Sequence, residues 1–237
     1  MRLKGLLVGA GAFLLFIIIG MRLDGLPFIP RTLFSDAVIS HYPNALFLRE
    51  SILEQHTFPL WRETLLAGQP FAANPLNKTA YPLQWLVLLF PPAVHINLLL
   101  ALHVLIASWG MWRWAAALGL RQEAAGFSAF AYAFAPRIMA HMGAGHVDVV
   151  YAMAWFPWLM WAIANSTAPA QQGKRSTFFI QSLQLGLIAA LIFLADVRVS
   201  LFAFLTAGVY AVILTLRKPG RGAGARATRC GGCLPCP

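Results

Sequence analysis

Asp36 stands in Phe34-Ser-Asp-Ala-Val, closely followed by His41, Tyr42 and Pro43. Further along, His141 and His146 bracket Met-Gly-Ala-Gly, Asp148 follows, and Asp196-Val-Arg198 interrupts an otherwise apolar stretch. A carboxylate in such a setting can act as a general base, or can hold a divalent metal with a second acid. Arginine and histidine can stabilise a departing phosphate, because a guanidinium meets phosphate bidentately. Together these groups have the chemistry to transfer a group from a lipid phosphate whose tail lies among helices.

Each residue also has a plainer role open to it. Ser35-Asp36 before an apolar turn is a common helix start, so Asp36 can be an N-cap. Asp196 and Arg198 can form a structural ion pair closing a tight turn. His141 and His146, with glycines between them, can belong to a solvated turn. His103, Gln181 and Gln184 fall inside apolar runs, where hydrogen bonds between helices are their usual work. The joint placement carries more than any one member.

The scaffold that must position them is apolar. Of 237 residues, 59% are hydrophobic and 11% charged, and mean hydropathy is +0.67. A soluble domain carries roughly a quarter charged residues, so lipid faces most of this chain. The net charge of +10 is spread between apolar runs instead of forming a basic face, which argues against a nucleic-acid partner. The reading is an all-α integral membrane domain over residues 1–216 with about six transmembrane helices. Spans are expected at 5–21, 94–118, 124–140, 149–164, 178–195 and 199–216, each near the roughly 20 residues a bilayer needs. The first follows Arg2 and Lys4 and has no small-residue cleavage site after it, so it is read as uncleaved. Pro157 should kink the span that holds it, and Trp109, Trp112 and Trp114 mark an interfacial end.

A long loop, residues 22–82, separates the first two spans. Within it, residues 42–55 read as a short amphipathic helix, with Leu46, Phe47 and Leu53 on one face and Arg49, Glu50 and Glu54 opposite. Residues 83–90 are too short to span and read as interfacial or re-entrant. Basic residues set the orientation. With both termini inside, the short inner loops and the tail hold most of the basic excess, while every acid except Glu123 lies outside. Asp36, His141, His146, Asp148, Asp196 and Arg198 then share the outer side. The tail, residues 217–237, is a basic cytoplasmic segment without periodicity. Its Cys230, Cys233 and Cys236 are similar to part of an iron–sulfur run but lack a fourth ligand, and an abnormal or truncated end is the preferred reading. The sequons at Asn77 and Asn165 are read as chance, because the second falls inside.

The order of features resembles the GT-C superfamily of membrane glycosyltransferases and the related, largely uncharacterised bacterial multi-pass proteins. The resemblance rests on Ser35-Asp36, Tyr42-Pro43, Pro59-Leu60-Trp61, Gly68-Gln69-Pro70, Ala73-Asn74-Pro75 and Tyr81-Pro82. His103, Gly145-His146 and Trp155-Phe156-Pro157 extend it, and the Pro-Leu-Trp to Tyr-Pro stretch is its most specific part. It implies transfer of a sugar from a polyprenyl-phosphate donor to an acceptor outside the cytoplasmic membrane. It implies Asp36 as the catalytic acid of the first outer loop, orienting or deprotonating the acceptor hydroxyl. His41, Tyr42, Asn74, His146, Asp148, Asp196 and Arg198 are the candidate substrate-binding residues. No metal is required, although a divalent cation would suit paired acids. The expected partners are membrane lipids and the lipid-linked donor.

Members of that superfamily carry more spans and often a C-terminal outer domain. The expectation is therefore the front of a longer enzyme, or a frameshifted product. Two other functions compete: a transporter or flippase of a lipid-linked substrate, and a non-catalytic membrane remnant. A transporter would want ionisable groups at mid-membrane and repeated broken helices. The spans offer mainly His103 and a few glutamines, and no internal repeat.

Overall fold

Prolines and glycines punctuate the apolar runs and set where helices start and stop. The computed structural model describes residues 35–65, 67–167 and 175–216. The expected first span, loop residues 22–34 and the tail with its cysteines lie outside the described residues. A π-helical turn, Ala37–His41, leads into α1 (Tyr42–Leu53). Two short strands, β1 (Trp61–Arg62) and β2 (Gln69–Pro70), pair antiparallel, and 3-10 turns follow at Pro75–Asn77 and Pro82–Leu88. The bundle comprises α2 (Pro92–Ala117), α3 (Gln122–Ala133), α4 (Pro136–Ala144), α5 (Val147–Ser166), α6 (Arg175–Ala195) and α7 (Val197–Leu216).

Among the described residues, α2, α5 and α7 are long and apolar enough to cross a bilayer, and α6 contributes the shorter apolar stretch Phe179–Ala195. The expected span at 124–140 is instead two helices. Pro136 has no N–H and clashes with a helical residue before it, so Ala135 turns extended (φ −56°, ψ 139°) and α4 restarts at Pro136. At 1.5 Å per residue α3 is about 18 Å long, too short to cross alone. The loop helix is present, but it buries Ala45, Leu48 and Ser51, not the expected Leu46–Phe47–Leu53 face. Leu53 is exposed.

Helix α5 is the hub, packing on α2, α4, α6 and α7. Apolar side chains gain little by leaving lipid for a helix interface, so close packing and hydrogen bonds must hold such a bundle. Buried Ala101, Ala152 and Ala154 allow that approach. Gly110 does so most plainly, since a Cβ there would lie 2.5 Å from the Trp158 ring, whose Nε1 donates to the Ile106 carbonyl at 2.8 Å. Pro157 lies inside α5 and deprives the Met153 carbonyl of its helical partner. The Tyr132 hydroxyl supplies the missing donor at 2.8 Å. Away from these contacts, Phe179, Leu201, Phe202, Leu205, Val209 and Leu216 are widely exposed. An apolar face of that extent marks a membrane-associated protein.

Helices α2, α5 and α7 begin at the same end of the bundle. Asp148 at the start of α5 meets Arg198 at the start of α7, while Ile96 near the start of α2 shares a small polar cavity with His41, Lys78 and Val147. At the far end, Trp114 of α2 donates to the Tyr210 hydroxyl of α7 at 3.0 Å. The loop is pinned to the bundle through Tyr81, which accepts from Trp155 Nε1 at 2.9 Å and donates to His103 Nε2 at 2.6 Å. His103 Nδ1 donates in turn to the Leu99 carbonyl.

Candidate functional site

Two short segments face each other at the loop end of the bundle, and each supplies one aspartate and one histidine. His146 Nε2 lies 3.3 Å from Asp36 Oδ2, and His41 Nε2 lies 3.8 Å from Asp148 Oδ1. The pairing is crossed, because the first segment's acid meets the second segment's histidine and vice versa. One glycine makes the approach possible. Helix α4 ends at Gly145 with φ +82°, a conformation that favours glycine, and a Cβ there would sit 2.7 Å from the Ala37 backbone nitrogen.

The Asp36 arm is open. Asp36 is 61% exposed and His146 40%, and His146 Nδ1 is 3.0 Å from His141 Nδ1. A neutral His146 that gives its Nε2–H to Asp36 must accept at Nδ1, so His141 donates. Burial, then the neighbouring His146 and Arg137, hold His141 below its usual range. Asp36 is no N-cap: its side chain makes no capping bond, and the Val38 N–H instead reaches the Ser35 hydroxyl at 3.4 Å. Among the described residues its Oδ1 has no hydrogen-bond partner.

The Asp148 arm is closed. Asp148 and His41 side chains are 7% and 6% exposed. Lys78, buried, places Nζ 3.0 Å from His41 Nδ1 and donates to the Leu76 carbonyl at 3.0 Å. Burial, then the field of Lys78, push His41 well below its ordinary value. Asp148 Oδ2 accepts from Arg198 Nη2 at 2.9 Å. Asp196 accepts from the same nitrogen at 2.7 Å and from the Arg198 and Val199 backbone N–H groups. Asp196 is thus the cap of α7 as well as an ion-pair partner. Burial raises its carboxyl, but the hydrogen bonds from Arg198 and Val199 outweigh that and hold it below the usual range.

Arg198 itself is 70% exposed. It stands at the polar end of a groove of about 250 Å³ with Leu76, Phe193, Leu194 and Val197 on its apolar side. Its Nη1 has no partner among the described residues. Two expected residues stay outside the cluster's contacts. Asn74 spends its side-chain oxygen on the Leu76 N–H at 3.0 Å, and Tyr42 packs against the apolar core. Lys78 was not among the sequence candidates. No signal separates it from the other basic residues of the loop, because its burial follows from a left-handed turn (φ 54°) after Pro75–Asn77. No three His, Cys, Asp or Glu side chains converge as a metal-ligand set among the described residues. A guanidinium occupies the place between Asp148 and Asp196 where a cation would suit two acids.

No protein-family model, no curated protein and no solved structure matches the chain.

Proposed function

We propose that the protein is a membrane glycosyltransferase that moves a sugar from a polyprenyl-phosphate donor to an acceptor hydroxyl at the outer face of the cytoplasmic membrane. The observation that carries this reading is the exposed Arg198 guanidinium at the polar end of an apolar groove, on the same end of the bundle as a carboxylate held by a histidine. A guanidinium reads phosphate bidentately, and the groove beside it has the apolar lining a prenyl chain needs. Asp36 lies near enough for its charge to act on Arg198. In the reaction the acceptor oxygen attacks the anomeric carbon and loses its proton to Asp36 Oδ1. The bond from that carbon to the phosphate oxygen breaks, and polyprenyl phosphate leaves with the electron pair, stabilised by Arg198. His146 keeps Asp36 oriented.

Six spans with both termini inside belong to the same reading. Helices α2, α5 and α7 start at the cluster end, which basic-residue asymmetry assigns to the outside, with α3–α4 and α6 as returns. A transporter gains no comparable support, since both ring nitrogens of mid-helix His103 are committed to Tyr81 and Leu99.

Membranes carrying the full chain are expected to consume a polyprenyl-phosphate sugar. Asp36→Asn should lower turnover by at least about 100-fold, the scale of a general base, with expression unchanged. Equal turnover in the variant removes Asp36 from the chemistry.

A further inference from the structure

Lys78 is an ionisable group at the cluster that the proposed reaction does not use. It is buried, yet no carboxylate lies within ion-pair distance of its amine among the described residues. Its backbone sits at φ 54°, in the left-handed region that costs a non-glycine residue energy and that clusters at functional positions. A turn alone would be better served by glycine or asparagine. What the amine touches gives it a role: an ammonium only donates, so with one proton on the Leu76 carbonyl it gives another to His41 Nδ1, 3.0 Å away.

We propose that Lys78 is a positioning residue, which fixes His41 as the Nε2–H tautomer and thereby keeps Asp148 in place as the bridge holding Arg198 at its groove. With Nδ1 accepting, the single proton of a neutral imidazole lies on Nε2, and Nε2 faces Asp148 Oδ1. The opposite tautomer would turn a lone pair toward that carboxylate and repel it. Asp148 would then move away from His41, and its hold on Arg198 Nη2 would loosen. The titratable and charged groups facing His41 come from three places: Lys78 from the loop, His146 and Asp148 from the start of α5, and Arg198 from the start of α7, while Asp196 acts on Lys78. Tyr151 of α5 lines the small cavity beside it, and His95 of α2 feels the Lys78 charge from behind.

This inference rests on the transferase reading only for the ligand of Arg198, and its main test does not involve sugar transfer. Full-length protein with ¹⁵N-labelled histidine in lipid bilayers is examined by solid-state NMR, with His41→Gln identifying the signal. At neutral pH the wild-type His41 signal should show Nε2 protonated and Nδ1 bare. In Lys78→Met the Nδ1–H form or the imidazolium should replace it, with protonation shifted up by at least one pH unit. Lys78→Arg, which retains a donor, should keep the wild-type tautomer. A wild-type His41 protonated on Nδ1 overturns the proposal without any variant, and so does a Lys78→Met signal identical to wild type. In a second arm, Lys78→Met is expected to bind farnesyl phosphate at least tenfold more weakly. Equal binding there would sever Lys78 from Arg198. A protein with the expected tautomer that turns over no polyprenyl-phosphate sugar would lose the transferase reading and keep the role of Lys78.

Discussion

Burying Lys78 lowers its amine from 10.5 to about 8, desolvation being the main cause and the charge of Arg198 adding to it, against the pull of Asp148 and Asp196. The native state therefore releases this proton before the unfolded chain does. Between about pH 8 and 10.5 the unfolded chain binds more protons, so stability gained through this group rises with pH across that window. Below it the burial cost is fully present, at roughly 3 kcal/mol for a shift of this size. In Lys78→Met this contribution should vanish. The difference in unfolding free energy between wild type and variant in mixed micelles should grow with pH over that window, in favour of the wild type. A constant difference would contradict the burial cost. At this scale the sequence was only partly legible. The types and spacing of Asp36, His41, His146, Asp148, Asp196 and Arg198 flagged the groups that meet. Which acid meets which histidine depends on where two turns dock, and nothing local records that. Asn74 gives its side-chain oxygen to its own turn, as an asparagine before proline can.

Among the elements, the α4–α5 turn matters most, since it decides whether Asp36 has a partner. Gly145→Ala would put a methyl group 2.7 Å from the Ala37 nitrogen and 3.2 Å from the Asp36 nitrogen, at a φ of +82°. Backbone on both sides cannot yield cheaply, so the segments should part. Loss of stability by at least about 1 kcal/mol is expected, together with a changed ¹⁵N signal for His146 as its Asp36 partner moves away. Unfolding measurements and the same labelled histidines check both effects. The apolar runs made α2, α5, α6 and α7 readable to within a few residues. The run at 124–140 misled because composition alone was counted, while Pro136 and the restriction on Ala135 were already in the sequence. The loop helix was found with the wrong face, because the hairpin and the 3-10 turn above it decide what α1 buries: Phe71 and Val87 pack on Ala45 and Leu48.

In the whole molecule, the strongest part of the superfamily resemblance builds support and contributes little of the cluster. Gly68 admits the Trp61 ring at 2.7 Å from its would-be Cβ, the Asn77 amide donates to the Phe71 carbonyl at 2.8 Å, and the Thr79 hydroxyl donates to the Ala72 carbonyl at 2.7 Å. Tyr81 then ties the loop to α2 and α5. Of that stretch Lys78 joins the charged groups and Leu76 lines the groove beside Arg198. The gathering of polar groups at one end was legible, since alternating short turns sort residues by side. The orientation is open to direct measurement. In a chain with Cys230, Cys233 and Cys236 replaced, Glu63→Cys should react with a membrane-impermeant maleimide in intact cells. Gln122→Cys at the start of α3 should react only after permeabilisation, and the reverse pattern would invert the topology.

The crossed Asp–His arrangement also bears on how such a sequence can drift. A change at position 36 removes the acid facing the histidine at 146, and a change at 41 removes the histidine facing the acid at 148, which keeps Arg198. Substitutions in related chains should therefore covary as two couples, 36 with 146 and 41 with 148. Position 78 should follow the second couple, because the histidine at 41 is the side chain its amine bonds.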